Sequence, residues 1–267
     1  MSSATTNTQT PAVGGATDVR PVNALPGRPG VPFGRTLNAE LRKMLDTRAG
    51  LWLVIVMAAS AVITMVAFLI WGPDGEVGYR SLLELAVLPL AMLLPVLGIM
   101  AATAEWTQRT GLVTFTLEPR RGRVVAAKAL AALLLALVVM TAALVAAAVA
   151  NVLGTNDWDL TAAAGSGQLL ALLIYVLQGV AFGLLFLNTP IAIVAVLVLP
   201  SIWSIATTIV SSLEDVGAWL DMDRVTRPLF AGEMGGQDWA QLATASAVWV
   251  LLPLAIGTYR VVTREVK

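Results

Sequence analysis

Six apolar stretches, each about twenty residues long, are separated by polar segments whose charge alternates in sign along the chain. A hydrocarbon core of ~30 Å takes about 20 helical residues to cross, so the pattern describes an all-α polytopic membrane protein with six transmembrane helices. The spans are expected at about 51–71, 82–104, 129–151, 166–187, 190–210 and 239–259. Composition agrees, since 57% hydrophobic and 13% charged residues lie far outside a soluble domain's balance. The run 166–210 is too long for one crossing. Asn188, Thr189 and Pro190 divide it, offering capping side chains and a first-turn proline, and predict a tight helical hairpin.

Orientation follows from the basic residues, because cytoplasmic loops hold an excess of Lys and Arg. Arg20, Arg28, Arg35, Arg42, Lys43 and Arg48 precede the first span, Arg109, Arg120, Arg121, Arg123 and Lys128 follow the second, and Arg260, Arg264 and Lys267 follow the last. Six crossings then leave only Arg80, Arg224 and Arg227 of the 17 basic residues on the other side. Both termini are therefore expected in the cytoplasm and the chain in the cell's inner (plasma) membrane. The acids Asp74, Glu76, Asp157, Asp159, Glu214, Asp215, Asp221, Asp223, Glu233 and Asp238 all fall in the outer segments.

The balance of 17 basic and 17 acidic residues argues against nucleic acid as a partner. Cysteine and histidine are both absent, which removes disulfides, thiolate chemistry, imidazole relays and nearly all soft-metal sites. An intramembrane protease needs a positioned nucleophile or paired acids, and no expected span holds two acids. The chain is read as lacking catalytic, cofactor and metal residues of its own.

Residues 1–35, rich in Ser, Thr, Pro and Gly, read as a disordered cytoplasmic tail. An amphipathic helix is expected over 36–50. Leu37, Leu41, Met44 and Leu45 follow helical spacing, and Asn38, Glu40, Arg42, Lys43 and Asp46 take the other faces. Gly50 is expected to break it from the first span, so that it lies along the interface with its cations toward membrane lipid. A short juxtamembrane helix that only fixes topology satisfies the same pattern.

The segment Glu105–Arg123 is too polar for a span and too apolar for a free linker. Trp106, Thr110, Val113 or Thr114, and Leu117 recur near helical spacing, and Pro119 should end the helix. A carboxylate at one end and an arginine cluster at the other make it a docking element for a soluble partner, or a positive loop that enforces topology.

The run Glu105-Trp106, Thr110, Leu117, Glu118-Pro119 and Arg123, with Lys128 opening the third span, resembles the type-2 ATP-binding-cassette exporter permeases. The resemblance is motif-grade over about 105–128 and architectural over 36–267. It implies that the Glu-aromatic pair ends the second span and that the loop forms a coupling helix on an ATPase subunit. The coupling residues so implied are Glu105, Trp106, Arg109, Thr110, Leu117, Glu118, Pro119, Arg120, Arg121 and Arg123, the family's arginine position falling among the last three. The helix at 36–50 resembles the family's connecting helix. No Walker A loop is present, because the lysines precede Met44, precede Ala129 or end the sequence. ATP and magnesium are thus expected on a partner nucleotide-binding ABC ATPase, and a second permease subunit, identical or related, should complete the pathway.

Residues 211–238 mix Val216, Trp219, Leu220, Val225, Leu229 and Phe230 with acids. The resemblance implies short broken helices that partly re-enter the membrane, while an exposed loop with interfacial tryptophans fits the same residues. Only Glu84 is an ionisable residue within an expected span, near its outer end. Gln178 lies mid-span beside Gly179 and Gly183, a close-packing face. Pro89, Pro95, Pro200 and Pro253 mark possible kinks. Glu84, Gln178, Trp203 and Trp249 are the substrate-path candidates. So few intramembrane polar groups point to a hydrophobic or amphiphilic cargo such as a drug, antibiotic or lipid. An exporter of lipid-linked polysaccharide and a non-transport membrane scaffold are the alternatives.

Overall fold

The structure is a computed structural model and describes residues 31–73, 77–108, 110, 114, 120–154 and 156–263. Among these there is no strand. Six helices are long and apolar enough to cross a membrane. An amphipathic α1 (Phe33–Asp46) precedes α2 (Arg48–Trp71), α3 (Tyr79–Thr107), α4 (Arg121–Leu153), α5 (Ala162–Phe186) and α6 (Thr189–Ile209). A 3-10 turn, Ser211–Leu213, leads into α7 (Glu214–Leu220) and α8 (Met222–Ala231). The last candidate span is α9 (Gly236–Ser246) continued through a π turn, Ala247–Leu251, into α10 (Leu252–Thr263). Of the tail expected over 1–35, residues 1–30 lie outside the described residues, and Phe33, Gly34 and Arg35 form the first turn of α1.

Local chemistry fixes the boundaries. The break before the first span falls at Thr47, not at Gly50 as the sequence reading expects. The Thr47 hydroxyl caps α2 by accepting from the Gly50 amide at 3.1 Å. Gly50 has a different task in the corner: a Cβ there would stand 1.9 Å from the Met44 carbonyl oxygen. The hairpin at 187–190 forms as expected. Leu187 takes a left-handed conformation with φ 52°, and the Asn188 side chain accepts from the Ile191 amide at 3.1 Å to start α6. Before Pro253, the missing N–H and the crowding of its ring on the preceding turn are met by the π turn at 247–251.

The core lies where α3 packs against α5. Gly179 makes this close approach possible, since a Cβ at that position would come within 2.0 Å of the Pro95 carbonyl oxygen. Leu82, Leu83, Leu94, Leu172, Val176 and Val180 fill the seam. By contrast α2 and α6 bury only 17% of their apolar windows, so their faces are turned to lipid or to another protein. The chain between the last two spans forms α7 and α8 instead of an open loop, and α8 lies against the first turns of α5, with Leu229 over Gly167.

Candidate functional site

Two groups of polar side chains stand toward opposite ends of α3. Glu105 lies in its last turn and Glu84 in its second, about 32 Å apart at 1.5 Å per residue. That separation matches a hydrocarbon core.

At the Glu105 end, four charges close a ring. Lys128 Nζ donates to Glu40 Oε2 at 2.7 Å, to the Glu105 carboxylate at 2.8 Å and to the Ala101 carbonyl at 2.9 Å, which uses all three ammonium protons. Lys43 Nζ donates to Glu40 Oε1 at 2.7 Å and to Glu105 Oε1 at 3.0 Å. Each carboxylate therefore binds both ammonium groups, and the ring is neutral. Glu40, Glu105 and Lys128 are only 2–3% exposed, whereas the Lys43 side chain is 41% exposed at the ring's open edge. Burial of Lys43 works against its charge, but Glu40 and Glu105 outweigh it and hold the ammonium pKa above the usual lysine range. The ring joins α1 to the end of α3 and the beginning of α4, the helices that flank the 108–120 connection. A cleft of about 420 Å³ opens beside it, bordered by Lys43, Thr103, Thr107 and Thr189, whose three hydroxyls are hydrogen-bonded at 2.7 and 3.0 Å.

Two expectations are corrected here. Glu40 does not share the polar face of α1: it sits on the buried face with Met44, while Leu45 is exposed. Lys128 is not at the start of its helix, because α4 begins at Arg121 and places Lys128 two turns inside. Glu105 and Lys128 lie inside the α3 and α4 helices, where the ring neutralises their charges.

Of the remaining coupling residues, Trp106 packs partly buried against the main core. Arg120 is exposed at the start of α4, Arg121 donates to the Val261 carbonyl at 3.0 Å, and Arg123 donates to the Val31 carbonyl at 3.1 Å. Thr110 N–H donates to the Glu105 carbonyl at 3.0 Å and Thr114 N–H to the Thr110 carbonyl at 3.1 Å. Arg109, Leu117, Glu118 and Pro119 lie outside the described residues.

At the other end Arg80 Nε donates to Glu84 at 2.8 Å, both side chains more than a third exposed. The Arg80 amide donates to Asp159 Oδ1 at 2.8 Å, and its guanidinium reaches the Ala231 carbonyl at 3.3 Å. Arg80, Glu84 and Ala231 line one end of a groove of about 800 Å³ between α3, α5, α6 and α8, with Gln178 farther in. Asp223 and Arg227 on α8 stand at the same rim. Burial, then the neighbouring Asp221, push the Asp223 carboxyl above its usual pKa, against the pull of Arg227. Trp203 and Trp249 do not border this groove. Trp249 sits in the π turn and donates to the Leu220 carbonyl at 2.8 Å, and Trp203, half-buried on α6, has an indole N–H without a partner. Among the described residues no cluster of three metal-ligating side chains occurs.

No protein-family model matches this chain, and no curated protein matches its sequence. The groups that sequence reasoning missed are Glu40 and Lys43 in the ring and Arg80, Asp223 and Arg227 at the groove. Glu40 alone left a trace, since it shares the i, i+3, i+4 face of Leu37, Leu41 and Met44.

Proposed function

We propose that this chain is the membrane-spanning permease subunit of an ATP-driven exporter of the type-2 ATP-binding-cassette kind, moving a hydrophobic or amphiphilic compound out of the cytoplasm or inner leaflet. It carries no nucleotide site; ATP and magnesium belong to a partner ATPase, and a second permease subunit completes the pathway. The clustering of Lys and Arg supports placing both termini and the ring on the cytoplasmic side of the inner membrane. The chain is a transport subunit and not an enzyme.

The observation that carries this reading is the closed charge ring. It ties α1 to both flanks of the 108–120 connection, so a push on that connection moves α1, α3 and α4 together. Ion pairs this buried resist separation, because opening the ring would strand a charge away from water. From the ring, α3 continues unbroken to Glu84, with Pro89 and Pro95 along it as points where a helix bends. ATP-driven movement at the connection thereby reaches the groove at the far end.

The chain has no cysteine, so a single thiol can be placed at will. Thr114→Cys, carrying a photoreactive maleimide in membranes of the native host, should cross-link to a subunit with nucleotide-binding motifs. The thiol should also be blocked by reagents from the cytoplasmic side alone. Reaction from the opposite side, or no ATPase adduct from folded chain, would remove the connection from its role.

A further inference from the structure

The groove at the Arg80 end holds a buried polar group without a hydrogen-bond partner, Gln178, and an exposed cation, Arg227, whose charge acts on Asp223 without a bond to it. Gln178 is 3% exposed on the groove's inner wall, and its side-chain nitrogen has no hydrogen-bond partner. A buried donor without an acceptor is destabilising, so a position that keeps one invites an external acceptor. Arg227 at the rim is exposed and makes no hydrogen bond or ion pair with another described residue, while Arg80 is engaged by Glu84 and the Ala231 carbonyl. Other polar groups on the walls satisfy one another, as Tyr175 and Thr226 do at 3.0 Å.

Between these groups the lining is apolar: Leu88, Met92 and Pro95 on α3, Val196, Leu197 and Pro200 on α6. From Arg80 to Pro95 the α3 wall is about 22 Å long, enough to reach from the rim to beyond the middle of a ~30 Å core. A volume of about 800 Å³ falls in the range of sites that enclose one drug-sized molecule.

We propose that the groove binds a single-chain amphiphile whose anionic head pairs with Arg227 and whose apolar body carries an oxygen that accepts from the Gln178 amide. Asp223, four residues before Arg227, opposes the anion; it weakens binding when charged. Glu84 is neutralised by Arg80 and adds little. The inference deepens the exporter reading by naming its cargo class, yet binding to the isolated chain needs neither ATP nor a partner, so the two readings fail separately.

The test uses the purified full chain in mild detergent and two radiolabelled probes, octadecanoate and 12-oxo-octadecanoate, which differ by one mid-chain carbonyl. Net hydrogen bonds of ~0.5–1.5 kcal/mol correspond to roughly 2- to 12-fold in affinity. The oxo-acid should bind about that much more tightly. Gln178→Leu should erase the preference between the two acids, Arg227→Gln should weaken both, and Asp223→Asn should strengthen both. Arg227 and Asp223 stand at the rim and outside the packed core, so their variants keep the test valid should Gln178→Leu fail to fold. Equal affinity for the two acids, a preference that survives Gln178→Leu, or indifference to Arg227→Gln would overturn the proposal. Displacement of the oxo-acid by a diacyl phosphatidylglycerol at equal concentration would also overturn it, by making the groove a site for bilayer lipid.

Discussion

The ends of α3 handle charge in opposite ways. Around Glu105 every proton of Lys128 is used and the three innermost groups are nearly sealed from solvent. Around Glu84 the ion pair is more than a third exposed, Arg227 has no bonded partner, and a buried Gln178 nitrogen is left open. A saturated cluster fixes helices to one another and has nothing to offer a ligand. An unsaturated one contributes little to the fold and keeps its bonding capacity for something else. One helix therefore carries a saturated charge ring at one end and a groove with unbonded polar groups at the other.

The sharpest way to break this contrast is Lys128→Met. It leaves the buried carboxylates of Glu40 and Glu105 with only Lys43 between them and one negative charge uncompensated, and removing one member of such a cluster costs about 3–5 kcal/mol. A large fall in unfolding midpoint in detergent is expected, and adding Glu40→Gln and Glu105→Gln should recover part of it. No loss from Lys128→Met alone would mean that the ring is not formed. A somewhat smaller effect is expected at the α3–α5 seam, where Gly179→Ala places a methyl 2.0 Å from the Pro95 carbonyl and should cost about 1–3 kcal/mol. Gly122→Ala, with nothing within 4 Å, is the neutral control in the same assay.

At the open end the expected stability changes are small. Glu84→Gln should shift stability by no more than ~1 kcal/mol, as exposed pairs do, and an effect as large as that of Lys128→Met would erase the distinction between the ends. Asp223 gives a pH-dependent version. Its folded pKa is raised above the unfolded value of about 3.9, so the folded state holds its proton more firmly. Stability is then lost as pH rises from the unfolded through the folded pKa. Asp223→Asn should stabilise slightly at neutral pH and leave stability unchanged below pH ~3, and a benefit that persists in acid would reject this cause.

Much of the scaffold was legible in the sequence because single-crossing helices announce themselves by length and apolarity, and because Asn188 and Pro190 cap and start a helix using only local contacts. The ring was not legible. Glu40 and Lys128 are far apart in sequence, and each alone resembles an ordinary polar residue near a span's end. The helix extensions hid it further: α3 runs on through Thr107 and α4 begins at Arg121, so residues that read as loop charges lie inside the bundle. At the groove, Glu84 and Gln178 stood out as polar residues within spans, whereas Asp223 and Arg227 belong to α8, whose placement over α5 depends on tertiary packing around Leu229 and Gly167. Trp203 and Trp249 stood out for their size, but packing places both away from the groove.

The most direct test is purification of the tagged chain from its native host in mild detergent, with identification of every protein that remains bound. The account predicts a nucleotide-binding ATPase in stoichiometric amount, lost when Arg120, Arg121 and Arg123 are changed to Glu. Repeated recovery of folded chain with no ATPase would contradict it and leave a membrane scaffold in its place.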